Sequence, residues 1–402
     1  MTSNEDSAKP DADTPEGKRS AVEGYKENSR ALRGTLAEEL AKDTEKFNDA
    51  DKNLIKFHGS YQQEDRDARK ARRGDGLGKF HIFMVRCKIP GGRMTPAQYL
   101  GMDDLAGRYA NGTVRFTSRQ SIQLHGIVKR DMKATIAGIN ATLLTTLGGC
   151  GDVNRNVMAC PAPQRGVRDQ LQADASRIAA HLAPRSNAYH EIWLDGKAVS
   201  NAGNDEGDLY GKVYLPRKFK LGIGLPEDNC VDLMAQDLGL LACVENDKVV
   251  GYDLLIGGGM GKSHGNARTF PFLAQAICYV PVEEAASASE AVVRLFRDHG
   301  NRADRKRARL KYVVHDWGVD RFREVLKKDY LGGQLTLPRG MKITGFDLHL
   351  GAHPQGDGRW WYGVSIENGR VKYDGDLRLR SGLRAIVEKF QPELRITPMQ
   401  DL

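Results

Sequence analysis

Six cations stand where a cation is costly. Arg86 is embedded in the apolar run Phe83-Met84-Val85-Arg86-Cys87-Lys88-Ile89-Pro90, and Arg155 lies between Asn154 and Asn156 beside Val157 and Met158. Lys218 and Lys220 alternate around Phe219 after Tyr214-Leu215-Pro216, and Arg115 and Arg119 bracket Phe116-Thr117-Ser118. A guanidinium or ammonium withdrawn from water needs an anion or an acceptor to offset its lost hydration. Strand periodicity puts Lys218 and Lys220 on one face, and Arg115 on one face with the residues two and four positions away, so either set makes a paired anion clamp. The competing reading is ordinary internal ion pairing.

Other motifs carry less chemistry. Ile256-Gly257-Gly258-Gly259-Met260-Gly261-Lys262-Ser263 follows an apolar strand, but a phosphate-cradling loop needs Gly where Ile256 stands, and the dinucleotide pattern fails at Lys262. A tight turn or a close backbone approach is the better reading. Residues 302–311 form a basic helical segment with sparse aromatics, which argues for a solvated face over a nucleic-acid reader. His349 and His353 are four apart in a Gly- and Pro-containing stretch, so a metal site on one helix face is disfavoured. The six cysteines, Cys87, Cys150, Cys160, Cys230, Cys243 and Cys278, include no pair at zinc-ribbon or thioredoxin spacing.

The elements that must position these residues follow from pattern. Residues 79–90 read as a buried strand stopped by Pro90-Gly91-Gly92, Thr95 and Pro96 as an N-cap and first helical residue, and 113–128 as strand material after the Asn111-Gly112 turn. A helix follows from about residue 131. Strands are expected at 188–194, 213–225 and 249–256, with Glu245-Asn246-Asp247 turning before the last, and helices at 285–299, 302–314 and 319–330. Beyond them, 360–367 and 370–373 read as a hairpin about Asn368-Gly369, followed by a helix near 382–390 and a strand from Leu394. The octapeptide from Arg395 to Leu402 echoes the one from Arg115 to Ile122 in its Arg, apolar, Thr, Gln and apolar positions, an internal repeat.

The chain has 402 residues, 40% apolar and 28% charged, which at about 150 residues per domain predicts two or three domains. Its 60 Lys plus Arg against 52 Asp plus Glu give a net charge of +8, which points to an anionic ligand or partner without naming it. No apolar run is long enough to span a bilayer and the N-terminus lacks a secretory pattern, so no membrane association is expected. Scattered cysteines fit a reducing compartment, and the cytoplasm is expected. Residues 1–50 read as a polar extension whose first 25 form a tail, 51–148 as a first half-domain, 149–335 as the domain of the cation set, and 336–402 as the start of a second half-domain that stops at Leu402 like a fragment.

The cation constellation resembles the siroheme-containing sulfite and nitrite reductase family, closest to its assimilatory sulfite-reducing hemoproteins. The resemblance runs from about residue 29 to the end. It rests on Phe57-His58-Gly59-Ser60-Tyr61-Gln62-Gln63, the segment 86–92, Thr117-Ser118-Arg119-Gln120 through His125-Gly126, Cys150-Gly151-Asp152-Val153-Asn154-Arg155-Asn156-Val157, Leu215-Pro216-Arg217-Lys218-Phe219-Lys220 and the glycines from Gly257 to Gly261. It implies an α+β protein in which ferredoxin-like α/β sandwich half-repeats flank a siroheme-binding mixed α/β domain. It also implies a six-electron reduction of sulfite to sulfide at siroheme coupled to a [4Fe-4S] cluster.

By that resemblance Arg115, Arg119 and Gln123 hold siroheme carboxylates, while Arg86, Arg155, Lys218 and Lys220 surround the substrate oxygens. The nitrite-reducing branch tends to carry Asn where this chain has Lys220, so sulfite is the expected substrate and ferredoxin-dependent nitrite reduction to ammonia the alternative. Either ferredoxin or an NADPH-dependent flavoprotein would supply electrons. One departure stands out, because the family's cluster cysteines have no match in this chain. Cys150 and Cys160 are not assigned as ligands; Cys160 reads as simply buried, and Cys150 as a pocket-edge residue beside Tyr61. A noncatalytic basic remnant binding nucleic acid is the reading that this gap favours.

Overall fold

The computed structural model describes residues 19–184, 193–194, 197–198 and 209–402. Two five-stranded sheets organise it. The first is antiparallel throughout and orders Ser60–Glu64, His81–Arg86, Ser121–Ile127, Val114–Thr117 and Arg370–Val371 side by side. Its core-facing side chains, among them Phe83, Val85, Phe116 and Leu124, pack with Met102, Ile139 and Val387 from the helices Pro96–Tyr109, Met132–Ala141 and Leu379–Phe390. The first of these helices starts as its sequence dictates: Thr95 and Gln98 form a reciprocal capping box and Pro96 occupies the first turn, where its missing N–H costs nothing.

The second sheet is mixed. Gln275–Pro281, Lys248–Ile256 and Leu238–Glu245 run antiparallel to one another, and Leu221–Gly224 and Met158–Ala159 add in parallel register. The strands Leu238–Glu245 and Lys248–Ile256 are buried along most of their length, which explains their near-continuous apolar sequences. The helices Val167–His181, Ala285–His299 and Leu310–Trp317 cover this sheet. Asn246 and Asp247 both take positive φ, as a two-residue hairpin turn requires.

The internal repeat has a structural counterpart. Gln120 donates from Nε2 to the Ile396 carbonyl at 3.0 Å, and Gln400 donates from Nε2 to the Phe116 carbonyl at 3.0 Å. These are the same positions of the two octapeptides exchanged. Both glutamines have positive φ, and Thr117 and Thr397 each accept a bond from the backbone N–H two residues on. The strand pairings are exchanged in the same way, since Arg93–Met94 pairs with Leu394–Arg395, and Arg370–Val371 pairs with Val114–Arg115. The two copies are therefore clasped across a pseudo-twofold axis.

Several expectations need correction. The 360–373 segment is not one hairpin: Trp360–Gly363 pairs backwards with Gly351–Pro354, and Arg370–Val371 leaves to join the first sheet. Of 213–225 only Leu221–Gly224 is a strand, because the preceding residues cross between the sheets with Phe219 bridged to Asn154. The segment 302–314 is α-helical only from Leu310, after a single 3-10 turn at Arg305–Arg307, since its arginines turn towards separate carboxylates instead of sharing one face. Residues 21–25, expected in the tail, belong to a helix. The helix Ala21–Glu27 buries Lys26 and Glu23, paired at 2.5 Å, and docks them on Asp152 and Arg302. Of the strand expected at 188–194, residues 188–192 lie outside the described residues.

Replacing Gln120 with Ala removes donors to the carbonyls of Gly91, Ala159 and Ile396 and orphans the Ala159 N–H in a fully buried position. Chemical denaturation should show a loss of about 2–4 kcal/mol for Gln120→Ala and about 1 kcal/mol for the partly exposed Gln400→Ala. Equal, negligible losses would contradict the clasp.

Candidate functional site

Five of the six predicted cations, Arg86, Arg119, Arg155, Lys218 and Lys220, come together where the first sheet meets the second unit. Arg86 ends the strand His81–Arg86, and its Cα neighbour across the sheet is Gln123. Its guanidinium donates to the Cys150 thiol at 3.3 Å and approaches the Gly149 carbonyl at 3.4 Å. With its amide turned to satisfy both sides, Gln123 accepts from Arg86 Nε at 2.7 Å and donates to His125 Nε2 at 3.1 Å. Burial, then the charges of Arg115, Arg86 and Arg370, push His125 down to about 4, so the ring stays a neutral acceptor.

Arg155 is held by carbonyls. Its Nε reaches Gly151 at 2.9 Å and its Nη1 reaches Gly149 at 3.0 Å, while burial and, against the helping Cys150, the charge of Arg86 lower its pKa. Arg119 sits at the junction itself. It donates to the carbonyls of Asn156 and Leu221, both at 3.2 Å, and to the Gln236 side chain. Burial lowers Arg119 to about 9, with Asp237 opposing and Arg155, Arg309 and Arg86 adding to the fall.

The two lysines complete the set from the second domain. Phe219 is fully buried and bridged to Asn154, and its neighbours Lys218 and Lys220, just before the strand Leu221–Gly224, are both half-buried. Among the described residues neither ammonium has an ion pair or a hydrogen-bond acceptor. Burial, then Arg309 and Arg155, lowers Lys218 to about 8, and burial, then Arg119 and Arg309, lowers Lys220 to about 7. Arg115 is set apart from these. It lines a cavity of about 330 Å³ with Arg370 and Lys372, and burial and Arg370 lower its pKa.

The carboxylates nearest the cations are already engaged. Asp237, fully buried, accepts from Arg309 at 3.0 and 2.8 Å and from the Lys220 backbone N–H at 2.9 Å. Asp152 accepts from Arg305 at 2.8 and 3.0 Å and lies 3.5 Å from Lys26. Burial pushes Asp152 up, but Lys26, Arg305 and Arg217 more than reverse it. The confluence is thus positively charged, with two lysines left over, and can take an anion.

Sequence reasoning missed Arg309, Gln236 and Asp237, which brace the lysines and Arg119. The signal was present for Arg309, inside the segment read as a basic face. That segment is paired internally: Arg302 with Glu23 at 2.6 Å, Arg305 with Asp152, Arg307 with Asp316 at 3.0 Å and Arg309 with Asp237. This removes the nucleic-acid reading of it. The glycine loop is no phosphate cradle either, because the Lys311 ammonium donates to the carbonyls of Gly259 at 3.0 Å, Gly261 at 2.8 Å and Phe270. Gly258 is required there, as a Cβ would sit 2.4 Å from the carbonyls of Gln236 and Met234. Tyr61 lies under Lys56 and is not bonded to Cys150 among the described residues.

Two cofactor fits can be tested on these residues. A polycarboxylate tetrapyrrole fits at the confluence, where buried arginines held by carbonyls are what its acid groups would neutralise; the small cavity at Arg115 and Arg370 also carries Glu367 and Asp374, the latter paired with Lys372 at 2.9 Å. A [4Fe-4S] cluster held by four thiolates does not. All six cysteines are described, buried and unpaired, and no four converge. Cys160 is not simply buried, however, as it meets Asp228, Cys230 and His349.

Comparison with known proteins agrees with this geometry. Residues 173–335 match the model of the nitrite and sulphite reductase 4Fe-4S domain, and residues 78–142 and 353–402 match the nitrite/sulfite reductase ferredoxin-like half domain. The chain is 44% identical over 384 residues to the sulfite reductase (NADPH) hemoprotein beta-component of Staphylococcus saprophyticus, covering 95% of this chain and 67% of that one. The component of the same name from Geobacillus kaustophilus is 42% identical over 400 residues, covering 98% and 70%. The chain thus spans about two thirds of the length of these relatives. The Mycobacterium tuberculosis NirA structure superposes with a TM-score of 0.75 at 24% identity, over 96% of this chain and 66% of that one, a likeness of fold.

The lysine environment predicts an unusual pH dependence of stability. Lys220 falls from 10.5 to about 7 on folding, so the folded state prefers the neutral amine. Its charge therefore costs stability in full below the folded value, and the cost fades as pH rises towards the unfolded value. Lys220→Met should stabilise the ligand-free chain by on the order of 1–2 kcal/mol near pH 6, after discounting for solvent screening, and hardly at all near pH 10. Denaturant melts at both pH values decide it, and a gain that does not shrink with pH would refute the buried-charge account.

Proposed function

The chain belongs to the nitrite and sulfite reductase family, and we propose that it carries the sulfite-binding and siroheme-binding halves of a sulfite-reducing site. The observation that carries this reading is the pair of unpartnered ammonium groups at Lys218 and Lys220 beside three arginines already held by carbonyls. In the proposal Arg86, Arg155, Lys218 and Lys220 contact the substrate, and Arg115, Arg119 and Gln123 hold siroheme carboxylates. When bound, siroheme supplies the iron through which electrons reach the sulfur.

The protein's own part is electrostatic and protolytic. Arg86 and Arg155, fixed by Gly149, Gly151 and Gln123, present positive charge that does not need to reorganise as negative charge gathers on oxygen. Lys218 and Lys220 have the pKa range of a working acid, so each Nζ can give a proton to a departing oxygen and regain it from solvent. Sulfite becomes sulfide by six electrons and the matching protons, with its three oxygens leaving as water.

The second lysine favours sulfite over nitrite in this proposal, since a dianion gains more from two ammonium groups than a monoanion does. The named component of the relatives carries NADPH in its name, which supports an NADPH-dependent flavoprotein as donor over ferredoxin. We place the protein in the cytoplasm, a reading supported by six unpaired cysteines; no helix among the described residues is long and apolar enough to cross a membrane.

The chain reconstituted with siroheme should change its visible absorption on sulfite addition. Lys218→Ala and Lys220→Ala should weaken sulfite binding roughly tenfold or more while siroheme stoichiometry stays unchanged, and Lys220→Asn should weaken sulfite more than nitrite. Unchanged affinities in the lysine variants would remove the substrate assignment, and equal effects of Lys220→Asn on the two anions would remove the preference.

A further inference from the structure

Four potential metal ligands converge away from the cation confluence. Cys160 follows the strand Met158–Ala159, Asp228 and Cys230 lie in the loop after Leu221–Gly224, and His349 comes from the irregular stretch before Gly351–Pro354. All four are buried, and one ligand atom from each lies within 4.8 Å of the others. Cys160 Sγ is 3.6 Å from His349 Nε2 and 3.0 Å from Asp228 Oδ2, and His349 Nε2 is 3.1 Å from Asp228 Oδ2.

We propose that Cys160, Cys230, His349 and Asp228 form a structural site for a single zinc-like divalent cation. Bond lengths of 2.0–2.3 Å in a tetrahedron put sulfur and nitrogen about 3.5 Å apart, and nitrogen and oxygen about 3.3 Å apart. The separations among Cys160, His349 and Asp228 are within about half an ångström of tetrahedral values, so seating an ion requires only a small outward adjustment of these three. Two thiols and an imidazole select a borderline cation over calcium or magnesium, and four protein ligands with no open side describe a structural site.

The surroundings supply what such a site needs. The other ring nitrogen of His349 lies 3.7 Å from Asp347 Oδ2, near enough for a carboxylate to orient a metal-bound imidazole after a small side-chain shift. Arg168 reaches Asp228 Oδ2 at 3.2 Å and Cys160 Sγ at 3.4 Å. With a dication, two thiolates and one carboxylate, this guanidinium brings the buried set to neutrality. His349 also takes a left-handed φ of 58°, an uncommon conformation for a residue with a Cβ, and its N–H is fixed by Asp347.

The position gives the ion a purpose. Residues 338–350 have no regular secondary structure, and they are tied down by the N–H groups of Arg339 and Met341 on Asp253 and of Thr344 on the Pro226 carbonyl. A cation at His349 pins the far end of this connection to the loop 225–230 and to the strand of Cys160. It thereby fixes where the second half-repeat begins relative to the second sheet. This site is separate from the family's iron–sulfur cluster, which needs four thiolates.

The test is zinc content and cobalt titration of the full chain. Zinc should bind at about one equivalent and raise the melting temperature, and cobalt should give thiolate-to-metal charge transfer with the intense visible bands of a tetrahedral site. Cys230→Ser should weaken zinc binding roughly tenfold or more, while Cys243→Ser, outside the cluster, should leave it unchanged. Zinc binding that Cys230→Ser leaves intact would overturn the proposal. Should that variant fail to fold, the spectrum of the unaltered chain decides alone: without thiolate charge transfer the site is refuted.

Discussion

Everything around the confluence answers to one constraint, the cost of gathering positive charge where water is scarce. Burial comes first among the causes that lower Arg119, Arg155, Lys218 and Lys220, and neighbouring cations add to the fall. The fold meets the arginines' share of that cost with carbonyl oxygens. Gly149, Gly151, Asn156 and Leu221 each turn a carbonyl towards a guanidinium, which neutralises nothing but restores the lost hydrogen bonds. Asp152 and Asp237, the carboxylates that could have cancelled the charge, are turned towards Arg305 and Arg309 instead. An arrangement that supplies acceptors and withholds counterions is held ready for an anion from outside.

The same constraint explains why two sheets are needed. Arg119 comes from the turn beside the first sheet, yet its acceptors at Asn156, Leu221 and Gln236 belong to the second unit. Asn156 returns the link by donating to the carbonyls of Ile89, Arg119 and Gln120. The Gln120–Gln400 clasp then locks the second octapeptide against the first. In this way Arg119, the cation at the junction, is fixed by contacts that join distant parts of the chain. The helix Ala21–Glu27 extends the network backwards, since Glu23 and Lys26 complete the environment of Asp152.

Much of this was legible in the sequence for physical reasons. The capping signal at Thr95-Pro96, the Gly300 stop after Ala285–His299 and the Asn246-Asp247 turn are local, and local chemistry decided them. The cations were legible because a charge inside an apolar run is an anomaly at any distance from its partner. Pairing across the chain was not legible. Nothing near Arg370 says that it will lie beside Arg115 instead of closing a hairpin, and nothing near Arg305 says that Asp152 awaits it. The grouping of Cys160 with Asp228, Cys230 and His349 escaped for the same reason: its four members come from three distant segments with no shared spacing.

The two lysines also show what stability has given up. A carboxylate placed beside Lys218 or Lys220 would relieve their desolvation and firm the ligand-free fold, at the expense of filling the place an anion would take. The chain does the opposite, setting Arg309 near both and turning Asp237 to the Lys220 backbone instead of its side chain. Such strain is tolerable because the rest of the second unit is densely apolar, with Phe219 itself fully buried between the lysines as their anchor. An anion bound there would release a cost that folding has already imposed, which is how unfavourable charge in a free protein can become affinity for a ligand.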